Sequence, residues 1–326
     1  MTPLDKRGSL QEAYQASNLL YKELFENVHH KFLNGKYDHV YVMPHHILNY
    51  LPFSALVINV NPENLFLSKY VADSYGMPLT YLPSLSALRP SENNYDFKDT
   101  MVFARGTYSY PAFYNNCPDN PDNPSAPPLN LPNVFNEGKH VVQMLATPPE
   151  NCFWEKNASE YNLISKASEK PKAIVHIASH AHLDPNSPLD SYVVLAASHN
   201  EDGKVKVREL LDRYSGKLKI GLLVLSACDT NKGEESIQPG DDIAALSNAF
   251  IVAGTENVIA TQWPASDTSF PQIMGFFYSY LKQGASPDIA LALAQRQFLL
   301  NGQTVFRYPI YWANIVLNGK NQKKMK

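Results

Sequence analysis

Two kinds of apolar pattern alternate along the chain: short unbroken runs, and longer stretches with helical spacing. Two unbroken runs, Ala173–His180 and Ile220–Cys228, are β-branched in part and stop abruptly at a reactive side chain. Runs of this length and make-up read as strands buried on both faces. Between them Val207, Leu210, Leu211 and Tyr214 recur at helical spacing. Strand, helix, strand predicts a βαβ crossover, which makes the two strands parallel. Their C-terminal ends then share the sheet edge where open α/β folds place ligands. A histidine and a cysteine delivered to that edge suit a base and a thiol nucleophile.

The remaining pattern extends the same architecture. Leu19, Leu20, Leu24, Phe25, Val28 and Phe32 predict a helix near 10–35. Strands are predicted at His39–Met43, Leu65–Val71, Leu79–Leu82, Met101–Ala104, Val258–Trp263 and Tyr311–Leu317, with a helix starting at Pro83–Ala87. Helices are predicted at 136–145, 243–253, 267–283 and 287–301, the third-from-last closed by Gly254 and the last opened by Ser286 and Pro287. Pro111 to Pro132 holds seven prolines, so it is neither helix nor central strand. It reads as a long surface connection, and no repeat of solenoid period is present.

Composition narrows the function. The chain has 326 residues, 44% hydrophobic and 18% charged, enough for one large or two medium cores. Its net charge of −3 implies no general surface for nucleic acid. Only three cysteines occur, Cys117, Cys152 and Cys228, with no C-x-x-C pair. A disulfide scaffold or structural zinc site is not expected, and the set suits a reducing compartment. The start carries no apolar signal core and no apolar run reaches membrane-spanning length, so a soluble cytoplasmic protein is expected. There is no phosphate-binding glycine loop and no helical metal-ligand spacing.

His176, His180 and His182 share one strand parity, so alternation alone does not choose the base. His180 stands at the predicted strand end, which favours it. The amides of Ala181 and Cys228 are candidates for an oxyanion hole.

These residues sit within a set of motifs: Leu51–Leu56, Tyr81–Leu88, His176–His180, Ser187–Leu189, Leu225–Thr230, Ala249–Gly254, Gln262–Pro264 with Asp267, and Tyr311–Ala313. In this order, from about 18 to 319, they resemble the CHAT domain, the caspase- and separase-like cysteine peptidase domain of clan CD. The resemblance implies a caspase-like α/β/α sandwich with a mostly parallel sheet. It implies a pseudo-caspase half at 1–100, a connection at 101–135, a catalytic half at 136–320 and a basic tail at 321–326. It also implies a His180–Cys228 dyad needing no cofactor and acting on a protein substrate, in regulated bacterial proteolysis such as antiphage defence or cell death. A sensor or tetratricopeptide-repeat partner is a further implication, and a latent or interaction-only module is the rival. Where relatives carry glycine after the histidine this chain has Ala181, and where they carry Glu after the cysteine it has Asp229.

The resemblance further implies a charged pocket for the residue before the cut. Asp184, Asp190, Asp229, Glu234, Glu235, Asp241 and Asp242 against Lys232 would favour Lys or Arg there. Arg105, at the end of the Met101–Ala104 strand, would favour an acidic residue instead. Trp263 resembles the aromatic that walls the substrate groove, and core packing is its other reading.

Overall fold

The computed structural model describes residues 3–74, 77–88, 96–106, 132–184, 186–228, 241–263, 266, 268–301 and 304–319. In chain order the helices are α1 (Pro3–Leu20), α2 (Glu26–Leu33), α3 (Pro132–Leu145), α4 (Glu160–Glu169), α5 (Val207–Asp212), α6 (Asp241–Ala253), α7 (Ser269–Lys282) and α8 (Pro287–Asn301). The strands are β1 (Val40–Val42), β2 (Val57–Asn59), β3 (Lys69–Tyr70), β4 (Leu79–Tyr81), β5 (Thr100–Ala104), β6 (Cys152–Trp154), β7 (Lys172–His182), β8 (Tyr192–Val194), β9 (Lys204–Lys206), β10 (Ile220–Cys228), β11 (Asn257–Thr261) and β12 (Ile315–Gly319). The Pro-rich connection expected at 111–132 lies almost wholly outside the described residues.

Contacts group the chain into two compact units. One joins 1–90 with 265–324, and the other is 91–264. The second carries a parallel sheet in the order β11–β10–β7–β5–β6. Its strands are mostly apolar and buried at nearly every position because helices cover both faces. On one face Met101, Phe103, Val175, Ile177, Leu223 and Val258 pack against Leu163 of α4, Leu210 of α5 and Phe250 of α6. On the other, Ala104 and Ala178 meet Val134 of α3, with Trp154 beside them. The expected α/β sandwich with a mostly parallel sheet is therefore present. The expected crossover also holds, with an added detail: β8 and β9 form an antiparallel ribbon ahead of α5.

In the first unit β1, β4 and β12 are parallel, and β2 and β3 form a short antiparallel pair. Tyr21, Phe25, Phe53, Leu56, Val71, Met77, Tyr81 and Val316 make its core. Three expectations change here. The predicted strand at 65–71 shrinks to β3, because Asn64 accepts a hydrogen bond from Phe66 N and bends Leu65–Leu67 into a helical turn. The last strand starts at Ile315, after a turn at Pro309–Tyr311. The first helix buries Tyr14, Tyr21, Phe25 and His29, while Leu19, Leu20, Leu24 and Val28 face outward. A π-helical turn at Tyr21–Phe25, with Tyr21 and Phe25 buried, separates α1 from α2.

Gly254 closes α6 with φ of +119°. A Cβ there would lie 2.1 Å from the Leu218 carbonyl oxygen, so only glycine lets the chain turn back into β11.

Candidate active site

β7 and β10 hold the site because they are neighbours in continuous register. Partners run from Ile220 with Lys172 through Val224 with His176 to Cys228 with His180. The two reactive residues thus terminate adjacent parallel strands as Cα partners, about one strand spacing of 4.8 Å apart. The side chain of Cys228 and the whole of Asp229 lie outside the described residues.

The register separates the three histidines. His176 lies deep in the sheet, where its Nε2 is 3.0 Å from Oε1 of Glu137 on α3. His182 pairs across the ladder with Tyr192 of β8, and their rings tilt against each other at 5.1 Å. His180 is the one opposite Cys228, and it is fully buried. Nothing in the local sequence marks Glu137 as the partner of His176, since the two are 39 residues apart.

Past His180 the strand leaves the parallel sheet. Ala181 becomes the partner of Val193 in β8, so the position expected to supply an oxyanion amide belongs to an antiparallel ladder. Asp184 follows as the anchor of its own loop. Its Oδ1 accepts from the amides of Asn186 and Ser187, at 2.9 and 3.0 Å, and its amide donates to Ser191 Oγ. Asp190 accepts from Ser187 Oγ and pairs with Arg208 at 3.5 Å.

Arg105 continues the end of β5. Its amide donates to Ala178 O of β7, and its guanidinium donates to the carbonyl of Leu195, next to the β8 ribbon. The side chain thereby links β5 to the segment beyond β8. Trp263 lies two residues past β11 and is partly exposed. Cys152, at the start of β6, is half-buried, and burial and then Glu150 raise its thiol above the usual range. That cysteine is a poor nucleophile by the same physics that would activate a thiol beside an imidazole.

The sequence pattern of the CHAT domain matches residues 15–320. The chain belongs to the CHAT domain family. This CHAT domain is similar to tetratricopeptide repeat protein 28 of Mus musculus, with 29% identity over 121 residues, 36% of this chain and 5% of that protein. The Homo sapiens protein of the same name is 27% identical over 107 residues, 33% of this chain and 4% of its own length. The CHAT domain therefore spans only a small fraction of these curated relatives. Among solved structures it is similar to the Arg-specific cysteine proteinase gingipain R, with TM-score 0.44 and 10% identity over 77% of this chain and 55% of that one. It is also similar to a chain of the Saccharomyces cerevisiae separase–securin complex, with TM-score 0.47 and 12% identity over 83% of this chain and 14% of that one. No helix among the described residues of this CHAT domain is long and apolar enough to cross a membrane.

Proposed function

We propose that this CHAT domain is a cysteine endopeptidase that cuts a protein partner, with His180 as base and Cys228 as nucleophile. The observation that supports this most is the register: His180 and Cys228 are Cα partners at the ends of neighbouring parallel strands. Registered positions on parallel strands belong to the same face of a sheet. His180 takes the thiol proton, the thiolate adds to the peptide carbonyl, and backbone amides near Ala181 and Cys228 hold the oxyanion. The tetrahedral species collapses to a thioester as His180 gives its proton to the leaving amine. Water then releases the acid product. No cofactor takes part.

The reading extends to regulated bacterial proteolysis, as in antiphage defence or cell death, with a sensor or tetratricopeptide-repeat partner. In the pocket, Asp184, Asp229 and Trp263 would receive a basic residue, and Arg105 an acidic one. Asp184 accepts from the Ser187 amide and Arg105 donates to Leu195 O, so a substrate side chain would share them with these backbone partners.

One observation favours a second reading. His180 is fully buried, so a substrate carbonyl reaches it only after the site opens. A latent module that binds a partner, and cuts only when opened, is consistent with that.

The test is cleavage of a peptide library read by mass spectrometry, with Cys228→Ala as control, together with alkylation rates. Cuts made by the wild type alone, and labelling of Cys228 faster than Cys152, are expected. Absence of cuts with equally slow labelling of both thiols would overturn the endopeptidase reading and leave the interaction module.

A further inference from the structure

Far from the dyad in sequence, three glutamates from three segments converge. Glu160 is the first residue of α4, Glu201 closes the tight turn at Ser198–Glu201, and Glu209 lies in the first turn of α5. One carboxylate oxygen from each lies within 4.8 Å of the others. That span matches the diameter of a Ca²⁺–oxygen shell of radius about 2.4 Å.

A cluster of acids alone has a simple alternative, mutual neutralisation by surface cations, and part of it is neutralised. Arg213 donates to both oxygens of Glu201, at 2.8 and 3.1 Å, and to Oε1 of Glu209 at 3.2 Å. Lys206 pairs with Asp202 at 3.0 Å. Glu160 is different. It is 1% exposed, and its Oε2 accepts from the Gly203 amide at 3.1 Å, while its Oε1 is buried with no hydrogen-bond partner. A buried carboxylate oxygen without a hydrogen-bond partner, on a side chain beside two further carboxylates, is an arrangement that a bound cation would relieve. Arg213 and Lys206 are the cations that face the four carboxyls of Glu160, Glu201, Asp202 and Glu209.

We infer that Glu160, Glu201 and Glu209 form a binding site for a divalent cation of the hard, oxygen-preferring class, with Ca²⁺ the best fit. All three ligands are carboxylates, with no thiolate or imidazole among them, which selects against zinc and copper. Glu160 Oε1 supplies the buried ligand, one oxygen each of Glu201 and Glu209 the outer two, and water the rest. With three protein ligands the dissociation constant belongs in the range of about 10⁻⁴–10⁻³ M. The ion ties α4, the 198–201 turn and α5 together, which brace the β8–β9 ribbon and the crossover into β10. This site is independent of the peptidase reading.

The test uses Tb³⁺ and Ca²⁺ on the full chain. Tyr214 and Tyr161 lie beside the cluster and sensitise Tb³⁺ luminescence there. Saturable luminescence displaced by Ca²⁺, and a rise in melting temperature with millimolar Ca²⁺, are expected. Glu160→Gln is close in shape and removes the buried charge, so it should fold at least as well without the ion. It should weaken Tb³⁺ binding about tenfold or more and abolish the Ca²⁺ shift. Should that variant fail to fold, Glu201→Gln provides the same readout. Luminescence equal in wild type and variant, or a wild-type melting temperature unmoved by Ca²⁺, would overturn the inference.

Discussion

Replacing Arg307 with methionine should unfasten the first unit, and the structure fixes the size of the effect. Arg307 ends the helical turn at Thr304–Arg307. Its Nε donates to Phe66 O at 2.7 Å, Nη1 to Leu299 O at 3.2 Å, and Nη2 to Ser68 O at 3.1 Å and Asp73 Oδ2 at 3.0 Å. The guanidinium also sits 5.9 Å from the Tyr70 ring. The two charged side chains are only 17% and 16% exposed, so solvent screens the pair weakly. Breaking a fully buried pair costs about 3–5 kcal/mol. Asp73 keeps its bond from the Tyr70 amide at 2.9 Å, and methionine keeps the aliphatic stem. The lower end applies, about 3 kcal/mol. Lysine keeps the charge but cannot fork to four acceptors, so Arg307→Lys should lose about 1–2 kcal/mol. Urea unfolding gives these losses, and hydrogen exchange should show protection falling in 66–73 first. A loss below about 1 kcal/mol for methionine, or equal losses for both variants, would refute the argument.

Other outcomes follow from features already described. His29 is buried against Tyr21, and burial, then His30, lowers its pKa below the ordinary 6.5, so the unfolded chain binds the proton more readily. Stability should be full above pH 6.5 and fall as the pH drops toward the folded pKa, and His29→Gln should flatten the melting profile between pH 7.5 and 5. Gly254→Ala should cost about 3 kcal/mol in urea unfolding, because its positive φ and the Leu218 carbonyl both oppose a Cβ. Glu137→Ala should cost about 1–3 kcal/mol by leaving buried His176 without its carboxylate, and Glu137→Gln less, since its amide oxygen still accepts.

The central strands were legible because burial on both faces leaves an uninterrupted apolar run, and β7 and β10 lie where those runs are. The parallel register of Cys228 with His180 follows from one crossover and two strands of similar length. The β8–β9 ribbon escaped because its tight turn, Ser198–Glu201, is built on His199 and Asn200 rather than on the Asp202–Gly203 pair that follows. Both adopt positive φ, at 55° and 72°, without a glycine at either position. Leu19, Leu20, Leu24 and Val28 recur at helical spacing on the exposed side, so periodicity found the helical stretch but not its buried side. The grouping of 265–324 with 1–90 rests on contacts such as Arg307 with Asp73, 234 residues apart. The Glu160–Glu201–Glu209 cluster is likewise assembled from segments that no spacing rule connects. Charge in a loop says little about what it faces, so the backbone bonds of Asp184 and Arg105 were not legible in the sequence.

The grouping of the two chain segments in one unit also orders the molecule in time. Residues 91–264 are inserted between the two segments, 1–90 and 265–324, that build the other unit. During synthesis the inserted sheet can close as soon as β11 leaves the ribosome. Tyr21, Phe25 and Phe53 must wait for Val316 before their core is whole. Domains generally fold as they emerge, N-terminal first. Here the 1–90 segment stays unfinished while residues 91–264 are made, and its apolar surface waits for the segment at 265–324.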